Sequence, residues 1–240
     1  MDLKELDRVD PHVHWYYQIK KIPLFKYFES QVVRNNLKVD IIDIGAGSGF
    51  FSAELQSKYS IYVNKITLVD KGYTDEEIGK TKGSAMEKRR TLPDEIGNSF
   101  IILIDVLEHV EDDGKFVNQI KQKIVAESKF FITVPAFNCF WSAHDVFLGH
   151  YRRYTAKTLT GVLNANGFRV KNYYYLFASI LLPALLLRKW NAGKQDHCDL
   201  RPVPGPVNFC LKRVLLLETH FMKLNKLAGL SCIAEGVVRA

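Results

Sequence analysis

Short apolar runs alternate along the chain with longer segments of mixed polarity. The runs that suit buried strands are 39–44, 66–69, 100–104, 130–134, 168–175 and 231–238. Runs of this length are typical of strands, and most of the mixed segments between them are long enough to hold helices. Residues 71–99 are rich in charge and glycine, which predicts loops with one weak strand near 83–88. The alternation predicts an α/β protein.

Two segments show helical periodicity or helix-ending residues. Residues 11–36 carry apolar residues at helical spacing, which predicts one or two helices. Their aromatic cluster at 14–17 suits either core packing or a lid over a bound substrate. Thr155 stands where it would cap a helix that extends to about Asn166, and Gly167 would close it.

Glycine occupies every other position just after the first apolar run, at Gly45, Gly47 and Gly49. This spacing predicts a tight turn between a strand and a helix from Phe50 to Lys58, because glycine tolerates the backbone angles that such turns need. The positive end of that helix would face a ligand lying on the turn. The plainer alternative is a glycine-rich connection that binds nothing.

The spacing disfavours one common ligand. A nicotinamide-dinucleotide fingerprint needs a third glycine at position 50, where this chain has Phe50. The next apolar run ends in Asp70, the place where α/β nucleotide sites carry a ribose-binding carboxylate. We therefore expect a nucleotide-like ligand other than NAD.

The string from Asp43 to Gly49, together with Asp70, resembles the class I S-adenosylmethionine (SAM) methyltransferases. The resemblance implies an α/β, Rossmann-like, seven-stranded sheet that is mostly parallel, with an antiparallel last strand. It also implies that the glycines wrap the methionine and ribose part of SAM, and that Asp70 accepts hydrogen bonds from the ribose hydroxyls. The implied cofactor-binding residues are Asp43, Gly45, Ala46, Gly47, Gly49, Asp70, Asp105 and Val106.

This interpretation divides the chain into parts. Residues 1–38 form an N-terminal helical cap, and residues 39–175 form the SAM-binding core. Residues 176–230 form an apolar and basic helical insertion where the family's sheet usually has a short hairpin. Residues 231–240 supply the last strand of the core sheet.

Composition and net charge limit the classes of binding partner but do not select one of them. The chain has 240 residues, 47% of them hydrophobic, which suffices for one main domain with a sizeable core. Its net charge of +7 suits nucleic acid, an anionic membrane surface or a phosphorylated substrate. The N-terminus is too polar for a signal peptide, no segment is long enough to span a bilayer, and the scattered cysteines form no zinc or disulfide pattern. We expect a cytoplasmic protein, either soluble or peripheral on a membrane.

Ionisable residues follow the apolar runs that end at 104 and 134. If Leu107 begins a helix, Asp105, Glu108 and His109 gather on one side of its first turn, although acids there also serve as caps. Residues 135–155 are dense in His, Asp, Arg and aromatic residues, as functional loops at this edge of a sheet are. Histidines are the expected catalytic bases, because imidazole titrates near neutral pH. They are His109, His144 and His150.

Two strings, residues 105–109 and 134–155, resemble a bacterial group related to the ubiquinone-biosynthesis O-methyltransferases. Relatives hold a divalent metal with an acid-x-x-Glu-His set and a later histidine, and the metal lowers the pKa of the acceptor hydroxyl. This chain has Asp105 where those relatives have Glu. The implied metal ligands are Asp105, Glu108, His109 and either His144 or His150, with Mg²⁺ or Zn²⁺ as the ion.

The residues assigned to the substrate lie in the same loop. They are Trp141, Asp145, Arg152, Arg153 and Tyr154. The two adjacent arginines suit a bidentate clamp on a phosphate or carboxylate. Surface pairing with acids such as Asp112 and Asp113 is the alternative.

The insertion carries two apolar runs, 176–190 and 209–217, and the first ends in basic residues and tryptophan. The runs are too short to span a bilayer but suit helices that lie in its interface. A homodimer contact, or burial against the sheet, is the alternative.

The patterns together predict SAM-dependent O-methylation of a hydroxyl on a lipid-associated or phosphorylated small molecule, such as a quinol precursor or a lipid-linked saccharide. One alternative is metal-assisted RNA 2′-O-methylation, although the chain shows no interleaved basic and aromatic face for nucleic acid. Another is a SAM-binding partner protein without catalysis.

Overall fold

The computed structural model describes residues 9–190 and 202–240. Its strands are β1 (Val39–Ile44), β2 (Val63–Val69), β3 (Met86–Arg89), β4 (Ser99–Ile104), β5 (Ser128–Pro135), β6 (Phe168–Leu176) and β7 (Ser231–Val238). They form one seven-stranded sheet in the order β3-β2-β1-β4-β5-β7-β6. β7 pairs antiparallel with both β5 and β6, and all other neighbouring strands pair in parallel. The sheet that the sequence predicts is confirmed.

The helices are α1 (Trp15–Phe28), α2 (Phe50–Tyr59), α3 (Asp75–Thr81), α4 (Asp113–Lys123), α5 (Ala143–Leu148), α6 (Ala156–Ala165), α7 (Leu181–Trp190) and α8 (Gly205–Phe221). The predicted helical insertion between β6 and β7 is present as α7 and α8. Residues 1–8 of the predicted cap and 191–201 of the predicted insertion lie outside the described residues. Within the described part, no helix combines the length and apolar character needed to cross a bilayer.

Two helical expectations are wrong. Helix α3 occupies a segment expected to hold only loops and a strand, and a capping box between Thr74 and Glu77 stabilises its first turn. Residues 107–109 form a single 3₁₀ turn, so no helix begins at that point. The following helix begins at Asp113, because the side chain of Asp112 accepts a hydrogen bond from a backbone N–H of its first turn.

The apolar insertion begins with a bend. Phe177 has a φ of 67°, and the backbone N–H groups of Ala178 and Ser179 each donate to the carboxylate of Glu218 at 2.9 Å. These contacts satisfy backbone donors that a helix starting at β6 would have used internally. Helix α7 therefore begins at Leu181, later than the apolar run suggests.

Helices cover both faces of the sheet. Side chains of α1, α2 and α8 pack on one face, and side chains of α4 and α6 pack on the other. Helix α1 lies along α8. It also reaches the carboxyl edge of the parallel strands, because Lys20 contacts Asp105 directly after β4. Ligands of open α/β sheets bind at this edge.

Candidate active site

The glycine turn after β1 has a backbone that glycine adopts without strain. The φ angles are 71° at Gly45, 53° at Gly47 and 74° at Gly49. A Cβ on Gly45 would lie 2.4 Å from Cγ2 of Val106, and one on Gly49 would lie 2.6 Å from Cδ1 of Leu68. Both the conformation and the neighbours therefore exclude a side chain at Gly45 and at Gly49.

Asp70 reaches across from the end of β2 to the glycine turn. Its Oδ2 accepts a hydrogen bond from the N–H of Gly47, and its Oδ1 accepts one from Gly72, both at 2.8 Å. Tyr73 is buried and donates its hydroxyl to the carbonyl of Gly47 at 2.7 Å. The structure thus brings the predicted ribose acid to the turn. Tyr73 was not predicted as a site residue. The sequence did offer one indication, because Tyr73 is an aromatic residue in a polar loop shortly after Asp70.

Asp43 lies beneath the turn. It is 4% exposed, and its Oδ2 accepts a hydrogen bond from Oγ of Ser52 at 2.6 Å. Burial raises the pKa of Asp43 to about 6, because an ionised carboxylate loses its hydration there. The contact ties β1 to the first turn of α2. Asp43 therefore supports the shape of the glycine turn from below.

The end of β4 carries an acid–lysine pair in which the lysine is buried and the acid is partly exposed. Nζ of Lys20, a side chain only 1% exposed, contacts Oδ2 of Asp105 and donates to the hydroxyl of Tyr16 at 2.7 Å. Oδ1 of Asp105 accepts a hydrogen bond from Oγ1 of Thr133 at 3.0 Å. Burial alone would raise the pKa of Asp105, but the Lys20 ammonium outweighs burial and lowers it. This aspartate also has a φ of 54°, which turns the chain sharply after the strand.

The turn after β4 meets the loop after β5 at one acid and two histidines. Glu108, His109 and His150 each offer a ligand atom, and these atoms lie within 4.8 Å of one another. Both carboxylate oxygens of Glu108 and Nε2 of His150 are buried, with no hydrogen-bond partner among the described residues. Burial, followed by the nearby charge of Asp105, raises the pKa of Glu108. Orphaned buried polar atoms are rare and point to a ligand that they would contact.

Asp145 determines how His150 is oriented. Nδ1 of His150 lies 2.8 Å from Oδ1 of Asp145, and Arg153 donates Nε and Nη2 to the two carboxylate oxygens at 2.8 and 2.9 Å. Burial would raise the pKa of Asp145, but the contacts with His150 and Arg153 hold it well below its usual range. An ionised carboxylate only accepts hydrogen bonds, so Nδ1 carries a proton, and Nε2 of the neutral ring then presents a lone pair.

A family comparison decides what kind of protein uses this site. Residues 20–172, well over half of the chain, match the family model described as a methyltransferase domain. The chain belongs to this family. It is a SAM-dependent methyltransferase, as the glycine turn and Asp70 predict. The narrower resemblance to ubiquinone-biosynthesis O-methyltransferases stays a prediction.

Solved structures share the fold of this methyltransferase at low sequence identity. A chain from the complex between the Haloferax volcanii Trm112 methyltransferase activator and the putative methyltransferase is 12% identical, with a TM-score of 0.53 over 90% of this chain and 89% of that one. The [4+2]-cyclase SpnF is 13% identical, with a TM-score of 0.54 over 96% of this chain and 84% of that one.

A third neighbour is phospholethanolamine N-methyltransferase 2 of Haemonchus contortus, solved with phosphomonomethylethanolamine and S-adenosylhomocysteine. It is 14% identical, with a TM-score of 0.53 over 92% of this chain and 52% of that one. No curated protein sequence matches the chain. Such identities show the fold alone, so the acceptor has to be argued from the residues of the methyltransferase itself.

The predicted metal set of the methyltransferase is only partly assembled. Glu108, His109 and His150 come together, but Asp105 pairs with Lys20 and lies outside this cluster. The backbone at Asp105 is left-handed and turns the chain sharply. The aspartate therefore meets Lys20, whereas the 3₁₀ turn that follows brings Glu108 and His109 to His150. His144 lies in the first turn of α5, outside this cluster.

Most residues assigned to the substrate hold the loop itself in place. Nη1 of Arg152 lies 3.2 Å from Oδ1 of Asp113, and Tyr154 donates to Oδ2 of the same acid at 2.7 Å. Arg153 is occupied by the buried carboxylate of Asp145. The two arginines therefore do not face a common anion. Trp141 is 40% exposed and is the member of this set that is open to a ligand.

Helix α1 supplies side chains that sequence reasoning did not assign to the site. Tyr16 and Lys20 stand four positions apart, on the side of α1 that meets Asp105. The ring of Tyr16 also stacks on Phe177 with centroids 5.3 Å apart, and Tyr17 packs against Phe50 beside the glycine turn. The aromatic cluster thus belongs to the core and also borders the site. The sequence indication of this role was Lys20, a charged residue on the apolar side of the predicted helix.

Proposed function

We propose that this methyltransferase transfers the SAM methyl group to a hydroxyl, with His150 as the base that takes the hydroxyl proton. The observation that carries the proposal is the buried Nε2 of His150, which has no partner among the described residues while Asp145 holds Nδ1. A hydroxyl is a weak nucleophile until it loses its proton, so O-methylation needs a proton acceptor near the methyl donor. The His109 ring, 4.6 Å away by centroid, would border the same acceptor.

The residues present fit SAM at the glycine turn. When bound, SAM supplies an electrophilic methyl group. The backbone from Gly45 to Gly49 would hold its methionine and ribose part, since the three glycines carry no Cβ that would block close approach. Asp70 would exchange its contact with the N–H of Gly47 for the ribose hydroxyls. Asp105 and Val106 would border the methyl group from the end of β4.

The acceptor is proposed to be a lipid-associated molecule, such as a quinol precursor or a lipid-linked saccharide. The support is the exposed apolar surface of the insertion, beside the same helix α1 that carries Tyr16 and Lys20. A phosphate clamp by Arg152 and Arg153 gains no support, because both guanidinium groups are engaged by protein acids. Peripheral membrane contact follows from the same surface and stays a proposal.

A metal-assisted version of the reaction is favoured by one specific observation. Glu108 and His150 present orphaned buried atoms beside His109, and a carboxylate behind a histidine is the arrangement that orients metal-bound imidazoles. These residues fit a divalent cation, and two imidazoles with one carboxylate favour Zn²⁺ over Mg²⁺. When bound, the cation would lower the pKa of the acceptor hydroxyl.

The test is a methyl-transfer assay with labelled SAM and paired acceptors, in which quinols and polyprenyl-linked saccharides are compared with matched amines. We expect label on the hydroxyl compounds. His150→Gln should reduce transfer about 100-fold or more while the affinity for S-adenosylhomocysteine is kept. His220→Gln, in an exposed position of α8, is the control and should transfer at the wild-type rate. Transfer to amines alone, or full activity of H150Q, would contradict the proposal.

A further inference from the structure

Helix α8 presents an apolar stripe on the side that does not face the core. The stripe consists of Val207, Cys210, Val214, Leu217 and Phe221. Spacings of three and four residues place these side chains on one side of the helix. Leu217 is 68% exposed and Phe221 is 69% exposed, whereas Leu215 and Thr219 on the inner side are buried. We call the five exposed residues the outer stripe.

The outer stripe belongs to a larger concentration of exposed apolar side chains. Ten of the large exposed hydrophobic residues in the described parts of the chain fall between positions 181 and 230. They are Leu182, Leu186, Val207, Phe209, Val214, Leu216, Leu217, Phe221, Leu224 and Leu227. Another seven are scattered over the other described residues. Soluble monomers rarely expose contiguous apolar patches of this kind unless the patch meets a partner or a membrane.

Hydrogen bonds on the inner side of α8 fix the orientation of the helix, so that the outer stripe faces away from the core. Oδ1 of Asn208 accepts a hydrogen bond from the N–H of Trp15 at 2.9 Å, and its Nδ2 donates to the carbonyl of Val13 at 3.1 Å. At the other end of α8, Nζ of Lys26 donates to the carbonyl of Thr219 at 2.8 Å. The helix is thus fastened along α1 at both ends. Its exposed side is a defined feature of the fold.

The charges beside the outer stripe favour an anionic membrane surface as its binding partner. Residues 205–230 contain four basic side chains, Lys212, Arg213, Lys223 and Lys226, and one acidic side chain, Glu218. Lys223 forms an ion pair with Glu235 at 2.8 Å, so the other three supply the net positive charge beside the stripe. Glu218 is engaged by the backbone of Ala178 and Ser179. An apolar stripe beside basic residues is the pattern of a helix that lies in an anionic membrane interface. A second copy of the chain would bring two basic segments together, which is electrostatically unfavourable.

We propose that α8 docks this methyltransferase on an anionic lipid bilayer, with the outer stripe in the interface and Arg213 at the level of the headgroups. Arg213 also lies over the ring of Phe209 at 4.9 Å, which keeps its stem against the apolar surface. The docking surface is separate from the glycine turn and from His150. The docking proposal can therefore be tested independently of the proposed reaction.

Vesicle co-sedimentation of the full chain tests the docking surface. Phosphatidylcholine vesicles with and without phosphatidylglycerol are compared, and we expect binding to the anionic vesicles that weakens as salt is added. The double variant Leu217→Ser/Phe221→Ser should lose about tenfold or more of that binding, because two large apolar side chains no longer enter the interface. Ile61→Ser/Val125→Ser changes two exposed apolar residues elsewhere and is the matched control.

The outcomes separate docking from folding and from the reaction. Each variant is also measured for S-adenosylhomocysteine affinity, which a folded protein keeps. Wild-type protein that stays in the supernatant with anionic vesicles would overturn the proposal. So would a homodimer, seen by light scattering, that the L217S/F221S variant dissociates, since a second copy would then cover the stripe. Loss of methyl transfer to soluble acceptors in H150Q concerns the proposed reaction and leaves the docking result intact.

Discussion

Nδ1 of His150 lies 2.8 Å from Oδ1 of Asp145, and the same carboxylate forms a two-point pair with the buried guanidinium of Arg153. One acid therefore orients the proposed base and also neutralises a buried cation. The two roles make different demands, because orientation concerns activity whereas neutralisation concerns stability. Replacing the acid by its amide tests both.

We expect Asp145→Asn to lower the free energy of unfolding by about 3 kcal/mol, because the buried Arg153 charge loses its partner. Urea unfolding measures this. Folding lowers the pKa of Asp145, so its stabilising contribution is present above the unfolded value of about 3.9 and is lost as the pH falls through the folded value. The difference between wild type and D145N should accordingly shrink in acid. A pH-independent difference would contradict this assignment.

Asp43 should show the opposite pH dependence. Its pKa rises to about 6 on folding, so the ionised acid destabilises the folded state above that pH and the penalty vanishes as the pH falls toward 4. Asp43→Asn, which resembles the neutral acid, should gain about 1–3 kcal/mol on wild type at pH 7.5 and little at pH 4. Thermal unfolding at several pH values measures the gap. A gap that widens toward acid would show that burial does not raise this pKa.

Gly49→Ala should impair both folding and SAM binding. The new Cβ would lie 2.6 Å from Cδ1 of Leu68 at a φ of 74°, which costs about 1–2 kcal/mol from the backbone alone. Gly79→Ala is the matched control, because it lies within α3 and its Cβ would meet nothing within 4 Å. We expect G79A to be neutral or slightly stabilising. Equal affinities of the two variants for S-adenosylhomocysteine would argue against a built cofactor turn.

Lys20 and Asp105 should be energetically coupled. Lys20→Met leaves a partly buried carboxylate without its cation and should cost about 1.5–3 kcal/mol. Adding Asp105→Asn removes that uncompensated charge, so the double variant should be more stable than the sum of the two single effects predicts. Urea unfolding of the four proteins gives the coupling energy. Additive effects would mean that the pair carries no interaction.

Zinc binding separates the two versions of the proposed reaction. Equilibrium dialysis of the wild-type protein should find one bound Zn²⁺, and Glu108→Gln and His150→Gln should each weaken binding about tenfold or more. His144→Gln is the informative control, because His144 lies in α5 outside the cluster and its replacement should leave zinc affinity unchanged. Since burial raises the pKa of Glu108, zinc uptake should release protons. Protein that dialyses free of zinc would leave His150 as the base without metal assistance.

Local patterns were sufficient for the sheet and for the glycine turn. Glycines at alternate positions impose a turn because few other residues accept its backbone angles, and the apolar runs on either side match buried strands. Thr155 caps α6 for a similarly local reason. Helix boundaries were less well predicted where tertiary contacts compete with local hydrogen bonds. After Phe177, the carboxylate of Glu218 accepts hydrogen bonds from backbone N–H groups that an earlier start of α7 would have used.

The sequence by itself therefore determined the fold class and the glycine turn with Asp70, because these depend on backbone preferences and on short-range periodicity. Only the tertiary structure decided that Asp105 faces Lys20 while Glu108 faces His150. Lys20 and Asp105 are 85 positions apart, and no spacing within either segment encodes their contact. The division between the Lys20–Asp105 ion pair and the acid–histidine cluster arises from how α1 and the loop after β5 pack against one turn.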